Sequence, residues 1–200
     1  MFIQVITGTV ADLEGLQRQV ERWQGELRPG AVGYLGTTAG VTDDGRFVVL
    51  ARFESEAAAR RNSQRAEQGA WWAETEKCLD SVMFLESTTV ETLFGGGNDK
   101  AGFVQVMRGS VKDPQKLEAL GKRMDEVEAV LHKARPDVIG DVMVLTADGS
   151  YLEAIYFTSE AEAREGEARE LPADAAEVLG LYMEALAIDE YLDLKSPWLH

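Results

Sequence analysis

Phe2-Ile3-Gln4-Val5-Ile6-Thr7-Gly8 returns later in the chain as Phe103-Val104-Gln105-Val106-Met107-Arg108-Gly109. Phe53-Glu54-Ser55-Glu56-Ala57-Ala58-Ala59-Arg60 likewise returns as Phe157-Thr158-Ser159-Glu160-Ala161-Glu162-Ala163-Arg164. Between these anchors Arg28-Pro29 pairs with Arg135-Pro136, and Asp44-Gly45 pairs with Asp148-Gly149. Matches in one order define an internal repeat. Residues 1–94 form the first copy, 95–102 a glycine-rich linker opening on Gly95-Gly96-Gly97, and 103–200 the second copy.

Each copy opens on a short β-branched run closed by glycine, which predicts a strand. A helix follows: Asp12 and Asp113 stand at cap positions, with Pro114 at the first helical position and apolar residues at three- and four-residue spacing. The Arg-Pro pairs end these helices, because the residue before proline is pushed out of the α region. Asp-Gly turns then predict a hairpin, Ser55 and Ser159 cap a second helix, and closing strands fall around Thr88 to Phe94 and Leu186 to Leu192. In the second copy Glu167 to Pro172 interrupts that helix, and Ala173 to Met183 resumes it. The order is β-α-β-β-α-β twice over, so the predicted class is α+β with two tandem ferredoxin-like repeats.

Phe2 and Ile6 lie on one face of the first strand, Ile3 and Val5 on the other, so both sheet faces are apolar while helices cover one. A bare four-strand face of ~400 Å² at ~25 cal/mol/Å² represents about 10 kcal/mol, comparable to the whole stability of a small domain. The two antiparallel sheets are therefore expected to pack face to face as an intramolecular barrel, or else against other chains.

Thirty-five acidic against twenty basic residues give a net charge of −15, which disfavours nucleic acid and anionic membrane surfaces as partners. No basic segment precedes an apolar stretch at the N-terminus, and no apolar run nears the roughly 20 residues of a membrane span, so a soluble cytoplasmic protein is expected. Cys78 is the only cysteine and His132 and His200 the only histidines; no Walker or dinucleotide glycine pattern is present. The expected cofactor complement is none, and no metal site is expected.

The segment Ala51-Arg52-Phe53-Glu54-Ser55-Glu56-Ala57-Ala58-Ala59, with Asn62 and the run Gln68-Gly69-Ala70-Trp71-Trp72-Ala73-Glu74, resembles the antibiotic biosynthesis monooxygenase-like domains of the dimeric α+β barrel superfamily. The resemblance covers about residues 2–94 and 103–192. It implies a barrel of paired sheets, a small apolar or aromatic molecule bound or oxidised without cofactor, and homo-oligomers. The alternative is a non-catalytic barrel serving as an assembly or interaction module. Haem-degrading relatives carry an asparagine on the first strand and a histidine ligand; here the strand offers Gln4, and neither histidine is placed for iron.

Candidate ligand-lining residues are Gln4, Tyr34, Arg52, Asn62, Arg65, Trp71, Trp72, Gln105 and Glu153. Asn62, Arg65, Trp71 and Trp72 could provide amide donors and an aromatic wall, whereas the tryptophans could equally fill core. Since that mixture is confined to the first copy, the first copy is expected to matter more for binding. Gln4, Tyr34, Arg52, Gln105 and Glu153, together with Asp141 and Tyr156, sit inside predicted strands where a polar group needs a partner or water. A buried carboxylate such as Glu153 would titrate high and could act as a base, unless it lies at an edge or in a salt bridge.

Overall fold

The computed structural model describes residues 1–200. In the first copy strand β1 (Phe2–Val10) leads to α1 (Leu13–Arg22), which runs on through a π-helical turn at Trp23–Leu27 and a short 3-10 turn at Arg28–Gly30. β2 (Tyr34–Val41), β3 (Arg46–Phe53), α2 (Glu56–Ser63), α3 (Ala66–Thr75), β4 (Leu79–Ser87) and β5 (Thr89–Leu93) follow. The second copy comprises β6 (Phe103–Val111), α4 (Pro114–Gly121), α5 (Met124–Ala134), β7 (Val138–Leu145), β8 (Ser150–Phe157), α6 (Glu160–Ala168), α7 (Ala173–Ala185), β9 (Leu186–Leu194) and β10 (Trp198–Leu199).

The capping chemistry read from the sequence forms the helix starts. Asp12 accepts from the Gly15 N–H, Asp113 from those of Gln115 and Lys116, Ser55 from Ala58 and Ser159 from Glu162. These side chains satisfy N–H groups that a helix start leaves orphaned. Both copies break the second helix, as α2/α3 and α6/α7, so the interruption is not confined to the second copy. The first helix of the second copy also breaks, between α4 and α5 after Gly121.

Each sheet is antiparallel and five-stranded, in the orders β10-β2-β3-β1-β4 and β5-β7-β8-β6-β9. The last four strands of each order are those of a ferredoxin-like unit, as expected. The registers repeat: Phe2 faces Phe53 and Gln4 faces Ala51, while Phe103 faces Phe157 and Gln105 faces Ile155. The fifth strand of each sheet comes from the other copy: β5 adds to β7, and β10 adds to β2. Two compact units result, Met1–Thr88 with Trp198–His200, and Thr89–Pro197.

The closing strand of the first copy is a correction. It is Leu79–Ser87, paired with β1, while the cleaner β pattern at 89–93 joins the second unit. A register shift between Thr7 and Thr9, with Ser81 at φ 53, puts β4 out of alternation and leaves Met83 and Phe84 exposed. An irregular strand loses the period-2 signal on which a sequence reading depends.

In the first unit the helix-facing core is aromatic. Trp23, Leu27 and Ala31 pack with Tyr34 and Trp71, and Leu16, Phe47, Cys78 and Leu79 pack with Trp72 and Trp198. Cys78 behaves as a buried apolar residue whose thiol is pushed up in pKa by burial. The second unit uses aliphatic residues in the same layer, with Leu117, Leu120, Val127, Met143, Val178 and Leu186 among them. No helix is long and apolar enough to cross a membrane.

Candidate functional site

The two units differ most in the space between helices and sheet. A cavity of ≈ 630 Å³ lies in the second unit, between β6–β9 and helices α5–α7; its counterpart in the first unit is ≈ 100 Å³. Equivalent backbone bonds, Ala11 N–H to the Cys78 carbonyl and Lys112 N–H to the Ala185 carbonyl, align the two helices that precede the closing strands. On that alignment Val178 and Leu179 occupy the places of Trp71 and Trp72. The first unit is plugged by indole rings, Trp71 lying 6.4 Å from Trp23 and 6.0 Å from Trp72, and the second is opened by smaller side chains.

Five of the copy-one candidates, Gln4, Tyr34, Asn62, Trp71 and Trp72, line the small cavity. The polar groups of Gln4, Tyr34, Asn62 and Trp71 are already engaged. Gln4 Nε2 donates to Glu86 Oε1 at 2.8 Å, the Trp71 indole donates to the Gln19 carbonyl at 2.8 Å, and the Tyr34 hydroxyl donates to Thr37 Oγ1 at 2.6 Å. Arg65 and Arg52 do not line it. Arg65 donates to the Leu27 carbonyl and to Asn62 Oδ1, both at 3.0 Å, tying the α2–α3 junction to the end of the first helix. Arg52 points to the other sheet face, where it donates to Thr38 Oγ1 at 2.9 Å. The first copy was expected to matter more for binding, yet the larger cavity lies in the second unit, because the tryptophans of the first fill the space they were expected to wall.

Gln105 and Glu153 line the large cavity. Gln105 Nε2 donates to Asp193 Oδ1 at 2.9 Å, and Arg164 pairs with the same carboxylate. Gln4, Glu86 and Arg60 repeat this arrangement in the first unit, so the set is common to both copies and belongs to their shared framework. Glu153 on β8 and Asp141 on β7 are a different matter. They share the helix-facing side of the sheet, are 7% and 5% exposed, and are hydrogen-bonded to each other with no ion pair to either. The neighbouring Arg135 is held by Asp137 at 2.8 Å.

Burial pushes the Glu153 carboxyl up to about 7, with Glu91 adding to the rise and the Asp141 hydrogen bond opposing it. Asp141 is held well above the carboxylate range by burial and by the Glu153 charge, and burial also raises Glu91 on β5. Two carboxyl groups in one apolar site cannot both ionise cheaply, so they share a proton near neutrality. Tyr182 on α7 and Tyr151 on β8 line the same space, and burial raises both hydroxyls beyond the usual phenol range. The Tyr151 hydroxyl is buried and unpartnered; Tyr182 reaches only the Met124 Sδ at 3.9 Å.

Glu153 and Asp141 were legible as polar residues in apolar strands. Tyr151 and Tyr182 were missed. An aromatic residue in a strand or an amphipathic helix looks like core until its hydroxyl is found without a partner.

No protein-family model matches the chain, and no curated protein sequence does. Among solved structures, two proteins described as "putative monooxygenase" share the fold along its length. The one from Lactobacillus acidophilus NCFM is 10% identical with a TM-score of 0.73, covering 100% of this chain and 98% of its own. The one from Fusobacterium nucleatum is 10% identical with a TM-score of 0.74, covering 100% and 93%. An anthrone oxidase-like protein is 11% identical with a TM-score of 0.66, covering 99% and 90%. The chain is an α+β protein of two tandem ferredoxin-like repeats, and its structural neighbours are monooxygenase-like proteins. At such identities the likeness is one of fold, and function has to be argued from the site.

Proposed function

We propose that the second unit binds a small apolar or aromatic molecule between its helices and sheet and oxidises it without a bound cofactor. The observation that supports this most is the cavity itself. A volume of ≈ 630 Å³ lies in the range of small-molecule sites, and its lining is apolar with a few convergent polar groups. Its mouth carries exposed apolar side chains, Leu179, Met183 and Tyr191, suited to admitting an apolar compound. The oxidation reading draws on the neighbours. In such an oxidation dioxygen converts a methylene between aromatic rings to a carbonyl, one oxygen atom entering the product and the other leaving as water.

Anthrone is a suitable probe, with dioxygen uptake and quinone absorbance as readouts. Leu179→Trp would refill the cavity as Trp72 fills its counterpart, and should abolish both binding and turnover. Undiminished binding in Leu179→Trp would count against this site. Binding without dioxygen uptake would leave a binding protein rather than an oxidase. A second reading, an assembly surface, is favoured by one feature: edge strand β4 exposes Met83 and Phe84. Concentration-dependent self-association that Phe84→Ser weakens is its expected signature.

A further inference from the structure

We propose that Glu153, with Asp141 hydrogen-bonded to it and Tyr151 two residues away on the same strand, is a proton-transfer site that takes a proton from a carbon acid or phenol held in the second unit's cavity. This assignment rests on the small-molecule reading above.

Three observations bear on it. Both carboxyl groups are more than nine-tenths buried, line the cavity and lack a cationic partner, although an unneutralised buried acid pair is costly to retain. Tyr151 lines the same cavity and is 2% exposed, and its buried hydroxyl has no hydrogen-bond partner. The third is an internal control. The strand registers place Phe47, Val49 and Thr37 of the first unit where the second has Tyr151, Glu153 and Asp141. The same sheet therefore packs with a phenyl ring, an isopropyl group and a threonine at these three positions. The fold does not require the carboxyls or the phenol, whereas the Gln-acid-Arg set recurs in both units. What the second unit has added is confined to the wall of its open cavity.

The chemistry follows from burial. A carboxylate stripped of water is a stronger base than a hydrated one, and a neighbour holding the other proton keeps it from being lost to a second like charge. The C–H electron pair of a ketone's α carbon moves into an enolate, and the proton goes to a Glu153 carboxylate oxygen. Reversal returns a proton from Glu153 to that carbon, so nothing else is consumed. Tyr151, protonated throughout the neutral range, is the donor available where negative charge grows on oxygen. The titratable groups around Glu153 are Glu91 on β5, Asp141 on β7, Tyr151 on its own strand and Tyr182 on α7. Farther round the wall stand Arg135, which follows α5, Arg164 and Glu167 of α6, and Tyr191 and Asp193 of β9.

Exchange of the α protons of 2-tetralone in deuterium oxide, followed by proton NMR with the full chain, reads this step without any oxidant. The expected result is catalysed exchange that rises with pH through a midpoint about 7, because the base must be deprotonated to act. Glu153→Gln should lose roughly 100-fold, a typical contribution of one positioned base. Tyr151→Phe should lower kcat at unchanged KM, and Asp141→Asn should move the pH midpoint. Binding of tetralin, which has no comparably acidic proton, is measured in parallel by saturation transfer on the wild type and on Glu153→Gln. Exchange that survives Glu153→Gln overturns the assignment, as does tetralone binding without exchange, and both leave the small-molecule reading standing. If neither compound binds, that reading fails and the assignment fails with it.

Discussion

At the scale of single residues, the Glu153–Asp141 pair makes a prediction about stability that is independent of any ligand. Glu153 titrates at about 7 in the folded chain, against 4.5 for the ordinary carboxyl. The folded state therefore holds a proton that the unfolded state has released between these values. Its contribution to stability is full below the unfolded pKa and is lost as pH rises through about 7, to a total on the order of 3 kcal/mol. Asp141 shifts in the same direction. Chemical denaturation between pH 5 and 8 should show the wild type losing more stability than Glu153→Gln. Parallel losses in the two proteins would mean that the carboxyl is hydrated in the folded state. The pair could be suspected from the sequence, because a carboxylate in an apolar alternation is anomalous. Its cavity could not, because volume depends on Val178 and Leu179 standing where the other copy has Trp71 and Trp72. That equivalence emerges only after the helices are aligned in space.

At the scale of elements, the strands and helices with undisturbed periodicity were readable, together with their caps and the Asp-Gly hairpin turns. β4 was not, since its register shift erases alternation, and the fifth strand of each sheet was not for a different reason. A strand's own residues encode its faces, but not which edge it will pair with. β10 is the sharpest case. Trp198 and Leu199 pair with Ala39 and Thr38, the His200 N–H donates to the Thr37 carbonyl, and Trp198 joins the Leu16, Phe47 and Cys78 cluster. This short strand covers the β2 edge of the first unit and closes part of its apolar core. Trp198→Ala should destabilise the protein by about 2 kcal/mol, below the range for a fully buried tryptophan because this one is only partly enclosed. Urea denaturation measures the loss. Hydrogen exchange should localise it to β2 and β3 while β7 and β8 keep their protection; uniform loss across both sheets would contradict the division into units.

At the scale of the whole molecule, the two copies retain one framework and differ in what fills it. The repeated registers, the repeated caps and the Gln-acid-Arg set hold the framework constant. Against that background the first unit carries indole rings where the second carries Val178 and Leu179, and aliphatic or phenyl groups where the second carries Glu153 and Tyr151. Fusing two copies in one chain allows this divergence, because each position is encoded separately and one unit can remain packed while the other opens. The consequence is stoichiometric. An aromatic ligand should bind once per chain rather than twice, with calorimetric titration giving a ratio close to one. Trp72→Leu should begin to open the first unit, since Trp72 is only half-buried and packs edge-on against the exposed Phe84 at 5.2 Å. A second, weaker binding event should then appear for hydrocarbon probes. It should lack the pH dependence that a buried carboxyl pair gives, because Val49 and Thr37 stand where Glu153 and Asp141 provide the titrating pair. Two equal sites in the unmodified chain would mean that the indole rings yield to ligand, and the volume difference between the units would then have no bearing on function.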